Sequence, residues 1–122
     1  MRPRFQADAD FNQKIVLGLR RREPVVNFED ARAGGVIGVP DPDVLHLAAG
    51  LGRILISHDR KTMPAHFARF LDSRSSPGLI IVPQDLDIGL AIEDLLIEGQ
   101  GRFPPVVNRF PSNEKRPQGL LA

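Results

Sequence analysis

The order of apolar and polar positions along the chain predicts an α/β fold. Short apolar runs, typical of strands covered on both faces, are separated by segments whose apolar residues recur at helical spacing. The predicted strands are residues 4–7, 25–28, 54–56 and 79–82, and the predicted helices are residues 11–22, 43–51, 63–71 and 86–98. Strands and helices that alternate in this way favour a three-layer α/β/α arrangement around a central, mainly parallel sheet of four to five strands.

Three predicted helices begin at residues that commonly cap helices. Asp10 with Gln13 three positions later resembles a capping box, and Thr62 stands before the third helix. Asp41 precedes Pro42, which suits a helix start, because Asp accepts hydrogen bonds from free amides and Pro is tolerated in the first turn. Capping alone would therefore explain Asp10 and Asp41 without any ligand.

The carboxyl-terminal part of the chain has a different composition. Residues 100–122 are rich in proline and basic residues and lack a periodic apolar pattern. The sequence thus predicts one α/β domain over residues 1–99 and an extended tail over residues 100–122. An arm without its own core often orders against another subunit, so we expect the tail to support a homodimer or another protein complex.

Charge and composition exclude several classes of protein. The chain has 16 Lys and Arg against 15 Asp and Glu, a net charge of +1, which excludes strongly basic nucleic-acid binding driven by counterion release. Because the sequence contains no cysteine, it forms no disulfide, zinc-thiolate or iron-sulfur site, which agrees with a reducing interior. With no apolar signal core or membrane-length run, the expected location is the cytoplasm.

Several carboxylates stand where the ends of parallel strands would bring them together. Asp8 follows the first predicted strand and Asp59 the third, with Asp10, Asp41 and Asp43 at nearby helix starts. If the two strands are neighbours, Asp8 and Asp59 converge at the carboxyl edge of the sheet. Carboxylates that share a pocket raise one another's pKa unless a cation neutralises them, so the implied ligand is a hard divalent metal. For Asp43, a favourable interaction with the helix dipole is the alternative explanation.

A polar loop follows the third predicted strand. It comprises Ser57, His58, Asp59, Arg60, Lys61 and Thr62. Its two cations could hold a phosphate beside a metal, or the loop could be a solvated turn. His58 and His66 lie in different predicted elements without a thiolate companion, a pattern that does not favour zinc.

Three segments, FQADADF, PDPDVLHLA and GRILISHDRKTM, occur in this order along the chain. Over residues 4–97 the chain resembles the small stand-alone, toxin-type branch of the PIN-like nuclease superfamily. The resemblance implies a PIN-like three-layer fold, Mg²⁺ or Mn²⁺ held by carboxylates, hydrolysis of RNA phosphodiesters and, for a toxin, an antitoxin protein as partner. It places catalysis and metal ligation on Asp8, Asp41 and Asp59.

The resemblance also bears on the residues around these three acids. Asp10 and Asp43 are further candidate metal ligands, and Ser57, Arg60 and Lys61 are candidates for phosphate or RNA binding. Relatives commonly carry a second acidic residue where this chain has Lys61. Lys61 could instead neutralise the oxygens of the transferred phosphoryl group.

Two alternatives remain open at this level. In a non-catalytic interaction module, caps and turns would account for every Asp. A receiver-type phosphoacceptor domain also pairs acids after its first strand with a later Asp, but residues 79–82 run into Pro83 and Gln84 without the expected Ser or Thr.

Overall fold

A computed structural model describes residues 3–100 and 108–111 of the chain. The strands are β1 (Arg4–Ala7), β2 (Asn27–Glu29), β3 (Ile54–Ser57), β4 (Gly78–Ile81) and β5 (Asn108–Pro111). The helices are α1 (Gln13–Arg22), α2 (Asp41–Gly50), α3 (Met63–Leu71) and α4 (Ile88–Gly99). Within these ranges, no helix has the length and apolar content needed to cross a bilayer.

The strands form one sheet in the order β2-β1-β3-β4-β5, in which the first four are parallel and β5 runs antiparallel to β4. One apolar cluster packs between the sheet and helices α1 and α4, and a second packs between the opposite face and helices α2 and α3. Because side chains alternate across a strand, buried strands supply both clusters: Ile54 and Ile56 face the first, and Leu55 faces the second. The predicted three-layer α/β/α fold is confirmed.

The predicted neighbourhood of the first and third strands is also confirmed. Ala7 of β1 lies opposite Ile56 of β3, and the Asp8 amide donates to the Ile56 carbonyl at 2.9 Å. The residues that follow β1 and β3 therefore emerge side by side at the carboxyl edge of the sheet.

Strand β5 lies in the segment that the sequence analysis assigned to the tail. Its Phe110 is opposite Leu79 of β4, and the Phe110 ring lies 6.4 Å from that of Phe67 in α3. The sheet thus continues past residue 99. The rest of the predicted tail, residues 101–107 and 112–122, lies outside the described residues.

The starts of two helices differ from their predicted caps. The side chain of Asn12 caps α1 by accepting from the Lys14 amide at 2.9 Å, so the predicted Asp10 capping box is wrong. Helix α2 begins at Asp41 itself, after Pro40, and no side chain caps it. The predicted cap by Asp41 is therefore wrong as well. Neither the Asp10 nor the Asp41 carboxylate accepts a capping hydrogen bond from a helix amide.

Candidate functional site

A cleft of about 330 Å³ opens at the carboxyl ends of β1 and β3. We call it the acidic cleft; it is lined by Asp8, Ala9, Asp10, Gly38, Val39, Asp41, Ser57, His58 and Asp59. Four of the five acidic residues singled out from the sequence thus share one cavity. Asp43 is not in this lining; it is exposed in the first turn of α2, where it complements the helix dipole.

Asp8 is the buried carboxylate of the cleft, with a relative exposure of 9%. Its Oδ1 accepts a hydrogen bond from the Ala9 amide and its Oδ2 accepts one from the Ser57 hydroxyl, both at 2.8 Å. Burial raises the pKa of Asp8, the Ser57 and Ala9 hydrogen bonds lower it in part, and the charges of Asp41 and Asp10 raise it further. The balance is a raised pKa for Asp8, of which burial is the largest cause.

Ser57 connects Asp8 to the loop that follows β3. Its hydroxyl accepts from the Asp59 amide at 3.0 Å and donates to Asp8 Oδ2. The Ser57 side chain has an exposure of only 1% and lies in the wall of the cleft. Ser57 therefore positions the Asp8 carboxylate, and its contact with a phosphate stays a prediction.

Asp59 lines the cleft, but its carboxylate is engaged by its own loop. Oδ1 accepts from the amides of Lys61 at 3.1 Å and Thr62 at 2.9 Å, and Oδ2 accepts from the Thr62 hydroxyl. The Thr62 hydroxyl is the main cause of a lowered pKa for Asp59, to which the amide hydrogen bonds and His66 add, while partial burial opposes it. Asp59 closes the turn that leads into α3 and is available to a ligand only through its remaining lone pairs.

Asp10 and Asp41 are the least engaged acids of the cleft. Asp10 is exposed, and among the residues that the structure describes its carboxylate has no hydrogen bond or ion pair. Asp41 Oδ2 lies 3.9 Å from Nε2 of His66, a long and partly exposed pair. Apart from this pair, Asp41 lies in the first turn of α2, where its charge complements the helix dipole.

His58 has a structural role at the edge of the same cleft. Its Nδ1 lies 2.9 Å from the Val82 carbonyl, which can only accept, so Nδ1 carries the proton. Nε2 accepts from the Asn12 amide at 3.2 Å, and the ring stacks on Phe11 at 4.5 Å. With both ring nitrogens in hydrogen bonds, His58 joins the ends of β3 and β4 to the start of α1.

A larger, open cleft of about 920 Å³ adjoins the acidic cleft. Its lining contains Asp10, His58, Asp59, Arg60, Lys61, Gln84 and Asp85. Arg60 and Lys61 thus lie beside the carboxylates, as a phosphate-binding role requires. Gln84 and Asp85 also line this cleft but were not predicted as site residues. Their position just after β4 could have indicated them, since ligands bind at the carboxyl ends of parallel strands.

The donor atoms of the acidic cleft suit a hard divalent ion, because they are carboxylate oxygens. Their spacing is looser than a coordination shell: within residues 3–100 and 108–111, no group of three or more Asp, Glu or His side chains is close enough to hold an ion. The carboxylates converge on one cavity and would have to approach one another further to ligate a metal. Comparisons with protein-family models, curated proteins and solved structures give no match to the chain, so the chemistry of the site rests on its own residues.

Proposed function

We propose that the acidic cleft is the active site of a PIN-like, Mg²⁺- or Mn²⁺-dependent ribonuclease that hydrolyses RNA phosphodiesters. The observation that carries the proposal is that buried Asp8 shares its cleft with Asp10 and Asp41, two carboxylates that no helix cap uses. Asp8, Asp10 and Asp41 would hold the ion, and Asp59 would contribute a remaining lone pair.

Electrostatics favour a cation in this cleft. Asp8 is desolvated, and the charges of Asp41 and Asp10 add to the cost of its ionisation and raise its pKa. A divalent ion would offset both effects, because it supplies positive charge where water has been excluded. When bound, it would orient the phosphodiester and make a water molecule nucleophilic near neutral pH.

The neighbouring residues have separate tasks in this proposal. Ser57 holds the Asp8 carboxylate in place through the 2.8 Å hydrogen bond. Arg60 and Lys61 in the adjoining cleft stabilise negative charge on the phosphate, so Lys61 takes a cationic role at a position where relatives commonly carry an acid. A toxin role in the cytoplasm, with an antitoxin as partner, follows from the resemblance and belongs to the same proposal.

The first prediction concerns cleavage of single-stranded RNA in the presence of Mn²⁺. Asp8→Asn should lower the cleavage rate by about a hundredfold or more, because it removes the charge of the central ligand while keeping its shape. Asp72→Asn makes the same charge change at an exposed position at the end of α3 and should leave the rate unchanged. Circular dichroism checks that both variants are folded; equal cleavage by wild type and Asp8→Asn would reject the proposal.

A non-catalytic interaction module is the second candidate function. It is favoured by the engagement of Asp59, whose two oxygens are already bound by Lys61 and Thr62 as in an ordinary turn. Under this alternative, the wild-type protein neither cleaves RNA nor gains stability from Mn²⁺, since isolated carboxylates offer no metal site.

A further inference from the structure

A separate cleft of about 320 Å³ lies between α2 and α3. We call it the basic cleft; its lining consists of Pro42, His46, His66, Arg69, Phe70, Ser73 and Arg74. Two arginines and two histidines contribute to this cavity, and no acidic side chain is among the described residues that line it. The basic cleft therefore suits an anion, whereas the acidic cleft suits a cation.

The walls of the basic cleft are held by packing. Phe70 is buried in the cluster between the sheet and α3, and the ring of His46 from α2 meets it edge to face with centroids 4.9 Å apart. This contact keeps the His46 ring against the other helix. Phe70 thus forms an apolar base beneath the basic side chains of the cleft.

Arg69 is a cation of the basic cleft that is available to a ligand. It lies in the last turn of α3, where the helix dipole favours a positive charge. Its side chain is exposed and, within the described part of the chain, makes no ion pair or hydrogen bond. A guanidinium group in this situation can form two parallel hydrogen bonds to a phosphate.

The basic cleft and the acidic cleft meet at one pair of residues. His66 lines the basic cleft, and its Nε2 lies 3.9 Å from Oδ2 of Asp41, which lines the acidic cleft. The two clefts are therefore adjacent, and a nucleic-acid strand could extend from one to the other.

We propose that the basic cleft binds a phosphate of single-stranded RNA next to the phosphodiester at the acidic cleft, through Arg69, His46 and His66. This inference rests on the proposed nuclease function and adds the path of the substrate. Contacts of this kind fix the position of the strand and carry no sequence information. The site should therefore bind RNA of any sequence.

The test is the affinity for a short fluorescent single-stranded RNA, measured by anisotropy in EDTA over a range of salt concentrations. Arg69→Ala should weaken binding about tenfold and reduce the slope of log affinity against log salt by about 0.7, because one phosphate contact to a single strand is lost. Arg69→Lys should retain the slope and lose part of the affinity, since lysine keeps the charge without the paired hydrogen bonds.

Arg21→Ala is the matched control for this experiment. Arg21 is exposed in the last turn of α1, which packs on the opposite face of the sheet from α2 and α3. Its removal should leave affinity and slope unchanged. An Arg69→Ala variant that binds like the wild type would overturn the inference, as would a wild-type protein that does not bind the RNA. Because these measurements exclude metal, they are independent of whether Asp8→Asn abolishes cleavage.

Discussion

At the residue scale, the Ser57 hydroxyl is the contact on which the arrangement of carboxylates depends. It joins the end of β3 to Asp8 at the end of β1, inside a cleft where burial raises the pKa of Asp8. Because the pKa of Asp8 is higher in the folded than in the unfolded protein, protonated Asp8 stabilises the fold. This contribution is complete below the pKa of the unfolded protein and is lost as the pH rises through the pKa of the folded protein. Ionisation of Asp8 therefore lowers the stability of the folded protein, mainly because the carboxylate is buried.

Asp59 has the opposite balance, because hydrogen bonds from Thr62 and Lys61 stabilise its charged form. Asp59→Ala should lower the free energy of unfolding by about 1 kcal/mol, since the two amides lose their acceptor as at an emptied helix cap. Asp59→Asn keeps an acceptor oxygen and should cost less. Urea unfolding of both variants measures the difference; an alanine variant as stable as the wild type would contradict this role.

The same substitution has a defined pH dependence. A lowered carboxyl pKa contributes stability above the unfolded value, ordinarily 3.8, and this stability is lost as the pH falls through the lower folded value. The cost of Asp59→Ala should therefore shrink as the pH falls below 3.8. A cost that is constant down to strongly acid pH would show that the charge of Asp59 does not contribute.

At the element scale, the connection between β2 and α2 forms one side of the acidic cleft through Gly38 and Val39. Gln6 of β1 holds this connection in place. Its buried side chain donates to the carbonyls of Ala7 at 2.9 Å and Asp30 at 3.1 Å. The position of the cleft wall therefore depends on how closely the connection approaches β1.

Gly34 in this connection packs directly against the Gln6 side chain. A Cβ atom at Gly34 would lie 2.1 Å from Oε1 of Gln6, whose side chain is buried and cannot move without breaking its hydrogen bonds. Gly34→Ala should cost about 1–3 kcal/mol of stability by overpacking. The control is Gly50→Ala in α2, where a Cβ meets nothing within 4 Å and helix propensity predicts no loss. Chemical denaturation compares the two; equal effects would contradict the close packing.

The secondary-structure elements differ in how far the sequence predicts them. Buried strands such as residues 54–56 could be predicted, because their apolar pattern follows from burial on both faces. The helix caps could not be predicted. The N-cap of α1 is Asn12, two residues after Asp10, and the N-cap of α2 is Pro40, one residue before Asp41. The apolar pattern does not fix helix starts to within one or two residues. Strand β5 has no apolar pattern of its own and exists because β4 offers an open edge.

At the scale of the whole molecule, the strand order explains where the acidic cleft lies. The chain continues from β1 to β2 on one side and from β3 to β4 on the other, so a crevice opens between the ends of β1 and β3. Such a switch point is the usual ligand site of an open α/β sheet. The neighbourhood of Asp8 and Asp59 could be predicted from this topology. The turn closed by Asp59 agrees with one of the two interpretations of the loop, because Asp commonly accepts from amides just after it. Which interpretation holds depends on side-chain geometry.

A receiver-type phosphoacceptor domain would share the order of the first four strands. Two features give it less support than the nuclease proposal. Strand β5 is antiparallel to β4, and the chain leaves β4 through Val82 and Pro83 without a hydroxyl residue. A stable gain in mass on Asp59 after incubation with a small phosphodonor and magnesium would favour the receiver alternative.

The distribution of charge over the molecule also favours a local anionic ligand. The net charge is only +1, yet the acidic cleft is flanked by Arg60 and Lys61 on one side and by the basic cleft on another. A divalent ion at the carboxylates would complete a continuous surface for a phosphodiester chain. The proposed nuclease activity therefore depends on metal binding at Asp8.

The most direct measurement is the thermal unfolding of the wild type, Asp8→Asn and Asp72→Asn with and without Mn²⁺. Because an ion that binds only the folded state stabilises it, Mn²⁺ should raise the unfolding temperature of the wild type and of Asp72→Asn. Asp8→Asn should be at least as stable as the wild type without metal and should not respond to Mn²⁺. No response in the wild type, or an equal response in Asp8→Asn, would contradict a metal site at these carboxylates.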